Sequence, residues 1–294
     1  MSSKIKSWIE AVRLRTLPVS TAGVILAIGY AAMASPTINV TVAILCLLFA
    51  ILAQIASNFA NEYYDFRHGL DRPGREGPRR GVTEGDITPR AMLTATYATL
   101  GVACAIGLSL IYWGGWWLLP AGVAIALGVV AYSAGPYPLS HHGLGEVAVM
   151  IFFGIVPVNL TYYVMTLQWS LPVFIGSLTA GLMGANVLIV NNYRDTDDDM
   201  AVGKHTLAVI AGRPVVRTLY LINGIVAMLL ALPVWMGMEG AWWLFPLLCL
   251  VPHVMLWRFM GTHTGASLNP LLGMTSMLML FYALGFTIIN CLLS

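Results

Sequence analysis

Charge is scarce in this chain. Only 10% of its 294 residues are Asp, Glu, Lys or Arg, against roughly 25% in a soluble domain. A water-exposed globular surface is excluded, and the 58% hydrophobic content and mean hydropathy of +0.79 point the same way. Cysteine is scarce too. Cys46, Cys104, Cys249 and Cys291 lie scattered in apolar stretches with no C-x-x-C pair. That excludes a disulfide framework or a zinc site and leaves them as small hydrophobes. The alternating pattern that a membrane barrel needs is also missing. The net charge of +2 is close to neutral, and no nucleic-acid partner is expected.

Long apolar runs are what the chain does contain. A spanning helix needs about 20 mainly apolar residues. Such segments lie near 16–34, 40–62, 91–112, 116–135, 146–166, 171–193, 214–237, 241–260 and 268–292. They predict an all-α polytopic membrane protein, a single domain over 1–294 with about nine transmembrane helices and no soluble module. Ala32, Met33 and Ala34 resemble a signal-peptidase site. However, the preceding stretch exceeds the roughly 7–15 residues of a signal h-region, and further spans follow it, so it reads as the first span.

The sidedness of the charges is informative. With the N-terminus inside, all 15 Lys and Arg fall in cytoplasmic segments or at span ends on that side. The loops near 35–39, 113–115, 167–170 and 238–240 carry none, as the positive-inside rule demands. Among the acids, only Glu239 lies opposite. A functional surface on the cytoplasmic face explains that second bias, which the rule does not require. The expected location is a bacterial-type inner (plasma) membrane.

One polar pattern occurs twice, at the ends of two apolar runs. Asn58, Asn61, Asp65 and Gly69 form the first copy, and Asn192, Asp195, Asp199 and Gly203 the second, each 134 positions later. On a helix the first three positions of each copy share one face. If spans 1–4 and 5–8 are repeats, both motifs occupy the same place and end on the same membrane side. Acids at the ends of apolar spans are costly unless they face a cavity, a partner or a metal. Asp197 and Asp198 fall off that face and read as solvated positions.

Clustered carboxylates and amides are hard oxygen ligands, suited to Mg²⁺ or Mn²⁺. The C-terminal ends of two helices also attract cations and repel a bare phosphate. An anionic substrate is therefore expected to bind through a bridging metal. Arg72, Arg75, Arg79, Arg80 and Lys204 in the adjoining loops are candidate contacts for phosphate oxygens. A metal–phosphate site at the mouth of a membrane cavity points to a lipid diphosphate that loses pyrophosphate. The allylic cation left behind calls for an aromatic face. Tyr132, Tyr137, Tyr162, Tyr163 and Tyr193 are available, with Tyr132 in AYSAGP the first choice.

The segments NFANEYYDFRHGLD and NNYRDTDDDMAVGKHTLAV resemble the aspartate-rich motifs of the UbiA superfamily of intramembrane prenyltransferases. Within it, RLRTLPVS, EGPRRGVTEGDIT, GKHTLAV and GLGEVAVMIFFGIVPVNLTYYV are similar to the MenA family, the 1,4-dihydroxy-2-naphthoate polyprenyltransferases of menaquinone biosynthesis. The resemblance implies a nine-helix bundle around a central cavity. It also implies Mg²⁺-dependent prenyl transfer from a polyprenyl diphosphate to the aromatic acid, with loss of pyrophosphate and CO₂. By the same resemblance Asn61, Asp65, Asp195 and Asp199 hold the metal–diphosphate, supported by Asn58, Asp71 and Asn192. Lys204 with Arg79 or Arg80 would bind phosphate, and Arg15 would meet an acidic aromatic substrate. Two departures stand out: Glu62 where aspartate is frequent, and His141 with His142 where basic or tyrosine residues are usual. 4-Hydroxybenzoate and homogentisate are alternative acceptors. An ion-coupled transporter is a remote rival, since it needs its acids near the bilayer midplane.

Overall fold

The computed structural model describes residues 3–35, 37–74 and 76–293; Arg75, among the expected phosphate contacts, lies outside them. Most of the described residues are helical, and none of them lies in a β-strand. In chain order the helices are α1 (Ser3–Val12), α2 (Leu17–Ala34), α3 (Val40–Arg67), α4 (Pro89–Ser109) and α5 (Ile111–Gly114). There follow α6 (Leu118–Ala131), α7 (Gly145–Val149), a π-helical turn over Met150–Ile155, α8 (Val156–Thr166) and α9 (Leu171–Ala201). The chain closes with α10 (Leu207–Ala211), α11 (Arg213–Met236), α12 (Leu244–Thr262) and α13 (Asn269–Leu293). Among the described residues, eight helical stretches are long and apolar enough to cross a membrane, with Gly145–Thr166 counting as one. The protein is therefore a multi-pass membrane protein.

The remaining expected span, 116–135, is the shorter apolar helix α6. Gly115 at φ 84° and Gly135 at φ 93° bound it, in backbone conformations that only glycine adopts readily. Its 14 residues rise only ~21 Å, less than the ~30 Å hydrocarbon core. Local sequence also places the other starts. Asn39 accepts from Val42 N at 3.1 Å and Thr88 from Ala91 N at 3.2 Å, so both act as N-caps. Proline follows in the first turn of α2, α4, α9 and α11, where its missing N–H costs nothing.

Helices α3 and α9 outrun their apolar stretches. At 28 and 31 residues they rise ~42 and ~46 Å, so their last turns project past the hydrocarbon core. Both duplicated motifs ride on those turns. The two helices also end alike. Leu70 N donates to Asp65 O at 2.9 Å and Gly69 N to Phe66 O at 3.1 Å. Lys204 N donates to Asp199 O at 2.8 Å and Gly203 N to Met200 O at 3.2 Å. These are two Schellman motifs, with Gly69 and Gly203 left-handed at φ 70° and 73°. The D-x3-G spacing is thus a stop signal as well as a ligand pattern.

The bundle is filled on one side and hollow on the other. The main apolar core joins α2, α8, α9, α11, α12 and α13, and includes the buried Trp235, Tyr220 and Phe286. Helix α13 lies along α2, α9 and α12 and seals that side. Between α3, α4, α6 and α8 the interior opens into a cavity.

A Cβ at Gly69 or Gly203 meets nothing within 4 Å, so a substitution there costs only backbone strain. Gly69→Ala and Gly203→Ala are each expected to lose about 1–2 kcal/mol, and the Asn variants less. Thermal unfolding in detergent measures this, and equal losses for Ala and Asn would argue against the caps.

Candidate active site

The first motif is built outward from Asp65, which is 1% exposed. Its Oδ2 accepts from Asn61 Nδ2 and from Lys204 Nζ, both at 3.2 Å. Its Oδ1 lies 3.1 Å from His141 Nε2. Asn61 donates also to Ser133 Oγ at 3.1 Å, and its Oδ1 accepts from Arg13 at 2.5 Å and Arg80 at 3.3 Å. Asn58 is structural here. Its Nδ2 donates to Val12 O at 2.8 Å, and its Oδ1 accepts from Gln54 Nε2 at 3.1 Å. That bond holds the break between α1 and α2, where Arg13 adopts φ 56°. A left-handed arginine is strained, and here the bend accompanies a guanidinium directed at Asn61.

The second motif is paired differently. Asp195, also 1% exposed, receives two bonds from its neighbour Arg194, at 2.7 and 2.8 Å. Arg194 is further fixed by Asn191 at 2.8 Å and Asn269 at 2.9 Å. Asn192 Nδ2 donates to Glu146 Oε1 at 2.8 Å. Asp199 lines the same cavity as Asn192 and Asp195. Backbone pairing between His142 and His205 ties the 136–145 loop to the turn after α9, which carries His141 to Asp65.

The loops divide the expected phosphate contacts. Arg80 is 7% exposed and forms an ion pair with Asp71 at 3.3 Å, and it lines the cavity with Lys204. Arg79 is exposed and pairs with Asp86, whose carboxylate also accepts from Ser7 Oγ at 2.7 Å. Arg72 pairs with Asp198, which accepts from Glu76 N at 2.9 Å. Asp197 is 80% exposed against Arg213. Arg15 is exposed and points elsewhere, while Arg13, two residues earlier, lines the cavity. Arg13 itself is the left-handed residue at the break between α1 and α2, and nothing local in the sequence signals it. Glu62 turns away and accepts from Val82 N at 3.1 Å, so it anchors the 76–88 loop.

Two compartments meet beneath these groups. The polar one, about 130 Å³, is lined by Arg13, Asn58, Asn61, Arg80, Asn192, Asp195, Asp199 and Lys204. The apolar one, about 270 Å³, runs between α3, α4, α6 and α8 as far as Cys46, Leu118 and Val164. Gln54, Ser57, Tyr132, Val149 and Phe153 border both. Of the five tyrosines considered, Tyr132 alone stands at this junction. Tyr137 stacks on His142 at 3.7 Å, Tyr162 and Tyr193 are buried in the main core, and Tyr163 packs with Trp117 and Trp169. Gln54 and Ser57, polar residues inside an apolar run, are the signs of this lining that the sequence carries.

Among the described residues no group of three or more His, Cys, Asp or Glu is gathered for a metal. A caged ion is therefore not what these residues offer. Mg²⁺ instead takes one or two carboxylates and completes its shell with waters and substrate phosphates. The hard oxygens of Asn61, Asn192, Asp195 and Asp199 around one cavity, with Asp65 directly behind Asn61, fit that use.

The UbiA prenyltransferase family model matches residues 22–278. The chain belongs to that family. It is a prenyltransferase by that membership, and its relatives agree. A 1,4-dihydroxy-2-naphthoate octaprenyltransferase of Haemophilus influenzae is 34% identical, over 72% of this chain and 71% of that one. The enzyme of the same name from Mycobacterium leprae is 36% identical, over 72% of each. A UbiA homolog from Archaeoglobus fulgidus bound to GPP and Mg²⁺ superposes with TM-score 0.69 at 16% identity, over 96% of this chain and 99% of that one. The apo UbiA homolog of Aeropyrum pernix K1 gives 0.70 at 14% identity, over 95% and 97%. At such identities these two likenesses establish the UbiA fold, which the all-helical bundle shares.

Removing Arg194 strands a buried carboxylate. Arg194→Met is expected to destabilise the protein by about 3–5 kcal/mol, while the double variant Arg194→Met with Asp195→Leu recovers most of it. Detergent unfolding curves of both check this; equal losses would mean that the pair is not the cause.

Proposed function

We propose that the protein transfers a polyprenyl group from polyprenyl diphosphate to 1,4-dihydroxy-2-naphthoate, releasing pyrophosphate and CO₂. One observation carries the reading: a compartment lined by acids, amides and cations meets an apolar chamber at Tyr132. A diphosphate head and a hydrocarbon tail need that division. The names of the relatives supply the acceptor.

Arg13, Arg80 and Lys204 are positioned to donate to the diphosphate oxygens, and charge-assisted bonds of this kind strengthen as the leaving group gains charge. Mg²⁺, or Mn²⁺, held with the diphosphate by Asn61, Asp65, Asp195 and Asp199, supplies further neutralisation of that charge. The allylic C–O bond breaks, and its electron pair leaves with pyrophosphate. The face of Tyr132 shields the allylic cation. A ring carbon of the acceptor bonds to it, and the carboxylate on that carbon departs as CO₂, returning its electron pair to the ring. Asn58 braces the turn that carries Arg13, Asp71 holds the Arg80 guanidinium, and Asn192 supports the site from the cavity wall, bonded to Glu146. Arg13 takes over the contact expected of Arg15, since it faces the cavity. Asp65 and Lys204 then act as a pair: Lys204 neutralises Asp65 before substrate arrives and moves onto phosphate afterwards. The motif end faces the cytoplasm of a bacterial-type plasma membrane by the positive-inside rule.

Purified protein with Mg²⁺, a polyprenyl diphosphate and 1,4-dihydroxy-2-naphthoate is expected to form demethylmenaquinol, which dissolved oxygen then converts to demethylmenaquinone, together with pyrophosphate and CO₂. A chelator should abolish this, and Asp65→Asn or Asp199→Asn should lower the rate by about 10²–10³-fold. Activity indifferent to chelator would reject the metal role. Exclusive use of 4-hydroxybenzoate or homogentisate in an acceptor panel would reject the acceptor alone.

Lys204→Met should bind Mn²⁺ more tightly than the native protein when no diphosphate is present, read by Mn²⁺ paramagnetic resonance. The same variant should bind inorganic pyrophosphate with Mn²⁺ more weakly. Weaker metal binding by itself would contradict the exchange.

A further inference from the structure

The apolar chamber is small for the tail assigned to it. Its volume of about 270 Å³ falls just under the ~300–1,000 Å³ of cavities that enclose drug-sized ligands. A chain of many isoprene units therefore has to leave it. A second apolar cavity of about 570 Å³ lies alongside, bounded by Trp169, Leu171 and Phe174. The wall between the two is a single seam. Ala121 and Ile125 of α6 border both cavities, as do Phe152, Val156 and Leu160 on the facing helix. Spacing of four residues puts each set on one helix face.

Phe152 is the largest group in that seam. Its ring packs straight onto Gly128 of α6, where a Cβ would stand 2.4 Å from Phe152 Cζ. Phe152 lies in the π-helical turn over Met150–Ile155. That wider turn shifts the side-chain register, and two consecutive phenylalanines both reach the cavities. Phe153 borders the polar compartment and the chamber, whereas Phe152 borders the chamber and the outer cavity. The turn cannot retreat, because Gly154 already presses on Gly181 of α9, with its ideal Cβ 2.4 Å from that backbone. The Phe152 ring is thus the part of the seam that can yield.

On the basis of the function proposed above, we propose that Phe152 is a specificity-determining residue for prenyl-donor length, its ring against Gly128 restricting where the tail passes from the chamber into the outer cavity. Short donors end inside the chamber and do not have to pass the ring. Long donors must pass it.

The test compares kcat/KM for geranyl diphosphate and for an octaprenyl diphosphate with the same acceptor. Phe152→Ala should raise the long-to-short ratio by about tenfold, the scale on which hydrophobic pockets discriminate by size, and Phe152→Trp should lower it. Phe152→Leu, which keeps most of the packing, should move the ratio in the direction of Ala and serves if Ala fails to fold. A ratio unchanged in Leu and Trp, with native-like transfer of geranyl, overturns this inference alone. A native protein that transfers neither donor overturns the functional reading and this inference together.

Discussion

Burying acids in a lipid-spanning bundle is the constraint on which the rest of this structure depends. A carboxylate removed from water has to be paired, bonded or metal-bound. Asp65 and Asp195 are both 1% exposed, and they meet the demand in opposite ways. Asp195 is satisfied by the residue beside it, Arg194, on the same helix. Asp65, bonded by Asn61 on its own helix, takes its cation from outside, from Lys204 just past the other motif, with His141 of a separate loop beside it. The bond from Lys204 therefore ties the ends of α3 and α9 together, and the loops between them must close over one cavity.

The duplicated helix endings make that bond possible. Each motif places its last aspartate at the third residue from the helix end and its glycine just past it. The residue after the glycine is Leu70 in one copy and Lys204 in the other. Equivalent backbone, different side chain: the first cap is apolar, and the second sends an ammonium across to Asp65. Two like motifs become one site with unlike halves. Under the function proposed above, Lys204 would exchange Asp65 for the diphosphate, with Mg²⁺ completing the charge balance.

The hollow half of the bundle has a physical cause of its own. Core-filling aromatics and long aliphatics concentrate on α9, α11, α12 and α13, whereas α6 is short and presents Ala121, Gly122, Ile125 and Gly128 to the interior. A short helix with small residues cannot fill the space between α3, α4 and α8, and the cavity results. Polar groups collect at one end because both polar motifs ride on the last turns of α3 and α9, the two longest helices.

The sequence by itself determined the membrane class, the spans and the two polar faces, since hydropathy and residue spacing are local quantities. It also pointed to Asn61, Asp65, Asp195 and Asp199, because acids at span ends are conspicuous, and to Tyr132. Tertiary structure alone decided how these groups are paired. Arg13 rather than Arg15 enters the cavity through one left-handed residue, and Glu62 spends its carboxylate on the backbone of a loop twenty residues away. Arg194 satisfies its own neighbour, and His141 arrives only because its loop pairs with the turn after α9. Each is a contact between segments distant in sequence or a choice among rotamers, and neither leaves a mark on periodicity or composition.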